Sequence, residues 1–480
     1  MKIKNIIVWG FCESSGLEIV NKLRSSIKIS EWISDQEGSS DIYSLLLGRV
    51  PLVERNVKAV QIFSVFYQKN FPLYCVLIAR RGLNYANLHE LISEFTLDYY
   101  YFYQLVTEKK PQLIIFSNLP HEGPDYILYE VAKTLGVKTL MCYQSLFPNK
   151  FFMTTLIADF GYFETIPAIF KNKKMVLDKG HKQKNVAFQE VEKLQAIERK
   201  SWFEQLIYKC LWAFKKQTIL MKTVFVLLAK IILVKPRNLN INRIARLFDV
   251  RTRQACYEKN IDLRKIDRVV LKELLSTSKN LVYFPLHYQP ELTTALLGGI
   301  FQDQMYAIEI LRSLLSDEWI ILVKENPKQD FFQRDELFFK RLSNIKGVHL
   351  IDKLFPTIDI IENVTFTATI TGTAGWETIK GGDKCLVFGQ AWYAPLENCL
   401  TYHSALTYAE LLDFLGKAIS YEEFQQSFDN LLCKVGVGVV DPYYFELTES
   451  YTEKQNAINV ANSIMAVIEN PFTVWHAEKN

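Results

Sequence analysis

Residues 368–377 read Ala-Thr-Ile-Thr-Gly-Thr-Ala-Gly-Trp-Glu. A short apolar run ending in threonine predicts a strand over Ala368–Thr371. The small residues that follow predict a turn, and a helix is expected to begin near Gly375. The same alternation extends on both sides. Leu281–Phe284, Trp319–Lys324 and Val348–Ile351 read as buried strands, with a helix over Asp303–Leu315, and Cys385–Phe388 continues the series. In the first 160 residues, Ile6–Trp9, Leu73–Ala79, Leu113–Ser117 and Lys138–Tyr143 read as strands. A helix through Leu23 and others over Leu88–Glu108 and Tyr126–Leu135 separate them, the last ended by Gly136. Strands alternating with helices at this spacing predict parallel sheets covered on both faces. The expected class is therefore α/β of GT-B type: two Rossmann-like, doubly wound domains with a helical insertion between them. The boundaries fall at 1–160 for the first domain, 161–275 for the insertion or linker and 276–450 for the second domain. A last helix over Thr452–Ile468, within 451–480, is expected to pack back towards the first.

The bulk composition agrees with a folded chain of more than one core. Its 480 residues exceed what a single core usually serves, and 49% are hydrophobic against 22% charged. A net charge of +4 is too small for a protein built to neutralise a phosphate backbone, so no nucleic-acid partner is expected. The eight cysteines, at 12, 75, 142, 210, 256, 385, 399 and 433, include no CxxC pair. That spacing predicts reduced thiols, with neither a zinc site nor a disulfide framework. The apolar run after Met1-Lys-Ile-Lys is too short for a signal sequence, so a cytoplasmic location is expected.

Residues 193–237 differ from the rest. From Trp202 to Arg237 there is one acid, Glu204, and Lys209, Lys216, Lys222 and Lys230 recur at intervals of seven, six and eight among Trp202, Trp212, Phe214 and Phe225. A basic, aromatic-rich amphipathic helix suits a membrane interface, and Lys222 and Lys230 interrupt any transmembrane span. The expected place is then the inner face of the cytoplasmic membrane, peripherally bound. The competing reading is a helical hairpin that buries its apolar face against protein.

Four stretches carry candidate chemistry. In Thr371-Gly-Thr-Ala-Gly-Trp-Glu377, Gly372 and Gly375 allow close approach of a ligand, the hydroxyls of Thr371 and Thr373 and the helix N–H groups suit a phosphate, and Glu377 suits ribose hydroxyls. Val323-Lys-Glu-Asn-Pro-Lys-Gln329 follows a strand at the edge where open α/β sheets bind ligands. There Lys324 and Lys328 can meet phosphate, and Asn326 can bond a base or phosphate before Pro327 turns the chain. Pro285-Leu-His-Tyr-Gln-Pro-Glu291 places His287, Gln289 and Glu291 in a polar loop between two prolines. In the first half, Pro120-His-Glu-Gly-Pro-Asp125 offers Glu122 as catalytic base, with His121 and Asp125 as further candidates. The competing reading makes Asp125 a helix cap and His121 a surface residue. The first turn, Gly10-Phe-Cys-Glu-Ser-Ser-Gly16, lacks the GxGxxG pattern of a dinucleotide site.

PHEGPDYILYEVAK, YFPLHYQPE, VKENPKQ and TGTAGWETI, in this order, resemble bacterial capsular polysaccharide biosynthesis proteins that include β-Kdo transferases. The resemblance covers residues 110–150 and 280–390. It implies a GT-B glycosyltransferase that moves a CMP-activated 2-keto-3-deoxy sugar, Kdo or a nonulosonic acid, onto a hydroxyl of a surface glycan or its lipid-linked precursor. The second domain would hold the sugar nucleotide and the first the acceptor. A looser parallel with GT-B sialyltransferases would give Glu122-Gly123, Asn326-Pro327 and Thr371-Gly-Thr373 the roles of base, CMP contact and phosphate turn. Two departures stand out: His121 replaces an acid, and Asn326 replaces the histidine of a His-Pro pair. No cofactor or metal is expected, since there is no DxD motif and CMP departs with a single phosphate. A transferase using a UDP- or GDP-sugar, a sugar-nucleotide 2-epimerase and a non-catalytic capsule-assembly scaffold are the alternatives.

Overall fold

The computed structural model describes residues 5–41, 45, 57–79, 88–171, 241–331, 334–447 and 452–475; the basic segment 193–237 lies outside them. The chain forms two compact units. One comprises Met1–Lys182, His287–Leu314 and Thr365–Asn480, and the other Gln183–Leu286 with Leu315–Val364. Both are α/β with parallel strands, the class read from the sequence.

The first unit is organised by a seven-stranded sheet: β1 (Ile6–Trp9), β2 (Ile29–Ser34), β3 (Ser40–Asp41), β4 (Leu113–Phe116), β5 (Lys138–Gln144), β6 (Lys150–Thr154) and β13 (Gly436–Val437). Their spatial order is β13-β6-β5-β4-β1-β2-β3, parallel from β5 to β3, with β6 and β13 each antiparallel to its neighbour. The order reverses direction between β1 and β4. Both strands are wholly apolar because both faces are covered. Ile7, Trp9, Ile114 and Phe116 face a core under the helices Val57–Ile78, Leu88–Lys109 and Pro124–Thr134. Ile6, Val8, Leu113 and Ile115 face the helices Glu13–Arg24 and Glu453–Glu469, through Ile19, Val20, Leu23, Val460 and Ile464. Each such side chain, removed from water, contributes about 1.5–3 kcal/mol.

Leu73–Ala79, expected as a strand, is instead the end of the helix Val57–Ile78. Its buried positions, Ala59, Phe66, Asn70, Tyr74 and Leu77, recur at helical rather than alternating spacing. Tyr74 donates to Asp98 Oδ2 at 3.0 Å, and Phe66 lies against Tyr99 with ring centroids 4.7 Å apart, which ties this helix to the next.

The first unit also contains β10 (Phe366–Thr369), β11 (Lys384–Val387) and β12 (Cys399–Thr401), parallel and in register. Phe147, between β5 and β6, packs edge-on against Trp376, Trp392 and Phe428 at 5.3–5.7 Å. That contact anchors the helix Thr373–Gly381 inside the unit. The second unit holds β7 (Leu281–Pro285), β8 (Ile320–Lys324) and β9 (Val348–Ile351), again parallel, with the helices Ile241–Arg264, Arg268–Thr277 and Glu336–Ser343.

Candidate functional site

β10 ends at Thr369, two residues earlier than expected, so Thr371 lies outside the strand ladder. Its N–H donates to His287 Nε2 at 3.3 Å and its hydroxyl to the Thr293 carbonyl at 2.9 Å. The Gly372 N–H donates to Thr369 Oγ1 at 3.3 Å, and that hydroxyl lies 3.0 Å from His287 Nε2. Because a backbone N–H can only donate, Nε2 is the acceptor nitrogen and His287 is held as the tautomer protonated on Nδ1. A side chain at Gly372 would meet Thr369 and His287 at 2.9–3.1 Å. At Gly375 a Cβ would stand 2.3 Å from the Tyr393 hydroxyl, which donates to the Gly372 carbonyl at 2.5 Å. Both glycines are thus required by packing inside the protein.

The helix starts at Thr373, and its N-cap, Gly372, supplies no side-chain acceptor. The N–H groups of Thr373 and Ala374, and the half-buried Thr373 hydroxyl, have no partner among the described residues. Uncapped N–H groups at the positive end of a helix favour an anion. The early start also moves Glu377 from the first turn to the second, where it is buried.

The loop beyond β7 holds that turn from below. The His287 N–H donates to Gln304 Oε1 at 2.8 Å. The Gln304 amide donates to the His287 carbonyl at 3.1 Å and to Gln289 Oε1 at 2.6 Å, and Gln289 donates to the Gln302 carbonyl at 2.6 Å. Glu291 precedes the short helix Leu292–Ala295 and accepts from the Thr293 hydroxyl at 3.0 Å. His287, Gln289, Glu291, Thr371, Gly372, Thr373 and Glu377 are therefore brought together in one compact unit, His287 and Gln289 as buried struts.

The same unit carries the turn after β4. Asp125 is buried, and its carboxylate accepts the N–H groups of His121, Glu122 and Tyr126, each at 2.7 Å. Burial pushes its carboxyl above the usual range, opposed by His121. It fixes the turn and occupies the helix N-terminus itself. His121 Nδ1 donates to the Leu119 carbonyl at 2.5 Å, which turns Nε2 towards Glu122 Oε1 at 3.0 Å. The carbonyl fixes the ring, and the imidazole and carboxylate can share a proton; Glu122 is the more exposed member.

Reading the sequence missed the groups around this dyad. Asp441 follows β13, caps the N–H of Tyr443 at 3.0 Å, and has His121 as an electrostatic neighbour. Gln144, at the end of β5, accepts the N–H groups of Val440 and Asp441 at 2.9 and 3.3 Å and holds that segment in place. Burial pushes the Tyr444 phenol up to about 12, with Asp441 and Glu291 adding to the effect. Burial raises Tyr143 too, with Tyr444, Glu291 and Asp441 adding to it. Glu291 from the β7 loop and Asp441 near the C-terminus thus share an electrostatic neighbourhood, although 150 residues separate them in sequence. No periodic or motif signal marks Asp441 or Tyr444, which lie at the start of and within the short 3-10 helix Pro442–Leu447, between β13 and the last helix.

In the second unit the loop after β8 rests on buried charge. Lys324 Nζ donates to the Phe355 carbonyl at 2.6 Å and to Thr357 Oγ1 at 2.7 Å, and is itself buried. Glu325 and Arg334, both fully enclosed, pair at 2.8 Å, and Glu325 accepts the Asn326 N–H at 2.8 Å. Asn326 Oδ1 accepts the Lys328 N–H at 2.9 Å around Pro327, and Lys328 is exposed. Among the described residues no cluster of His, Cys, Asp and Glu is placed to hold a metal ion, and no helix is long and apolar enough to cross a membrane.

No curated protein matches the chain in sequence. Among solved structures it is similar to the β-Kdo 2,7 transferase of Thermosulfurimonas dismutans KpsC, at 8% identity and a TM-score of 0.34 over 96% of this chain and 99% of that one. It is also similar to trehalose 6-phosphate synthase from Burkholderia multivorans (10% identity, TM-score 0.29, 97% and 98% covered). A third likeness is to UDP-GlcNAc 2-epimerase from Methanocaldococcus jannaschii (11%, 0.24, 90% and 99%). The stretch 256–409, which includes three of the four motifs, matches the family model described as capsule polysaccharide biosynthesis protein.

Proposed function

We propose that the chain is a glycosyltransferase that moves a CMP-activated 2-keto-3-deoxy sugar onto a hydroxyl of a capsular glycan precursor. The observation that carries this reading is the uncapped helix start at Thr373, buttressed by His287 and Thr369, in the same compact unit as the His121–Glu122 dyad. The CMP phosphate would be received by the Thr373 and Ala374 N–H groups and the Thr373 hydroxyl. Glu122 would take the proton of the acceptor hydroxyl as its oxygen attacks the anomeric carbon. CMP would leave with the electrons of the broken bond, and the proton would stay on the Glu122–His121 pair until it is released to solvent. If configuration is retained, Glu122 would instead be the nucleophile. Residues 202–237 are proposed to dock the enzyme on the membrane surface.

The test is thermal melting with nucleotides, followed by incubation of pure protein with CMP-Kdo, CMP-nonulosonic acids and a panel of acceptors. CMP should stabilise the protein. Stabilisation by UDP or GDP but not CMP would sink the donor assignment, and a chain that no nucleotide stabilises would point to a scaffold.

A further inference from the structure

A pocket of about 710 Å³ lies in the first unit. The helix Pro124–Thr134 lines one side with Tyr126, Tyr129, Glu130 and Lys133, which are spaced to share one helical face. Phe301 and Phe388 stand on another side, in edge-to-face contact at 5.1 Å. Its volume suits a small-molecule site.

Glu130 is the informative residue. It is only 7% exposed, and its carboxylate has two neighbours among the described residues: Lys133 at 3.5 Å, the outer limit of a hydrogen bond, and Lys69 at 3.9 Å. An ionised carboxylate has about four acceptor positions and is costly to bury unless they are filled. Asp125, one turn earlier on the same helix, accepts three N–H bonds at 2.7 Å. Glu130 therefore presents unfilled acceptor capacity to a cavity with aromatic walls. A ligand that fits must bring several hydroxyl donors and also an apolar C–H face to lie on aromatic rings. That combination is a sugar ring.

The pocket shares a wall with the candidate donor turn. Gly389, which lines it, packs against Thr371, where a Cβ would come within 2.8 Å of the Thr371 methyl. Tyr126, which also lines the pocket, is four residues beyond Glu122. We propose that this pocket holds a saccharide segment of the acceptor glycan, one or more units from the reacting hydroxyl, with Glu130 accepting from its hydroxyls. The assignment to the acceptor rests on the transferase reading above; the saccharide site itself does not.

The probe is the surface glycan of the producing cell, cut by mild acid and size-fractionated, titrated calorimetrically into the full chain. Wild type should bind fragments. Glu130→Gln, which keeps the shape, and Ala158→Trp, which fills the exposed rim, should each weaken binding about tenfold or more at unchanged melting temperature. Wild-type binding that neither variant changes, or no binding of any fragment by wild type, overturns the proposal. The CMP melting shift is read on the same samples. Fragments bound without a CMP shift would sink the donor reading alone, and a CMP shift without fragment binding would sink the pocket alone.

Discussion

Two strand-to-helix turns in the first unit look alike in outline and differ in what sits on the helix N-terminus. After β4, the Asp125 carboxylate bonds the N–H groups of His121, Glu122 and Tyr126, so the protein supplies its own anion. After β10, no side chain caps the helix, while His287, Thr369 and Tyr393 hold the turn. A turn that carries its own anion can orient a base but not bind a phosphate. A turn built rigidly yet left uncapped can do the reverse. The family match over residues 256–409 includes the second turn and not the first.

Changes at each turn should separate these roles. Glu122→Gln keeps the turn and removes the base. Transfer should fall about 10²–10⁴-fold in steady-state rate while CMP affinity stays at the wild-type value. A loss of CMP affinity instead would mean that the two turns are not specialised as argued. Asp125→Ala leaves three N–H groups without their acceptor, and urea unfolding should show stability lower by about 3 kcal/mol. An unchanged midpoint would show that the carboxylate is dispensable.

The smallest expected effect is on pH dependence. Burial raises the Asp441 carboxyl above its ordinary range. Its contribution to stability is therefore fully present below the unfolded value of about 4 and is lost as pH rises through the raised folded value. Asp441→Asn should flatten the melting-temperature profile across that window. An equal slope in both proteins would remove Asp441 from the account.

β1, β4, β7 and β8 were legible because each is a short apolar run closed by a polar turn, whereas β2, β3, β6, β12 and β13, shorter or more polar, were not read as strands. The helix Val57–Ile78 was harder to read. Its aromatic residues face a second helix, and its last turns, Phe71–Ile78, carry no charged side chain, so its end resembles a buried strand. In the candidate site, Thr371, Thr373, His287 and Glu122 stood out because motifs of small and polar residues follow strands. Asp441, Tyr444 and Gln144 were invisible, since only the packing of β13 against β6 brings the C-terminal segment beside His121. Glu130 reads as an ordinary helical carboxylate until its burial is known.

The most direct test makes the second turn resemble the first. Thr373→Asp places a carboxylate at the first position of the uncapped helix, where a negative charge stabilises the helix. Titration calorimetry with CMP should then show affinity reduced at least about tenfold at an unchanged or higher melting temperature. CMP binding to this variant with wild-type affinity would contradict the assignment of the turn as the seat of the donor phosphate.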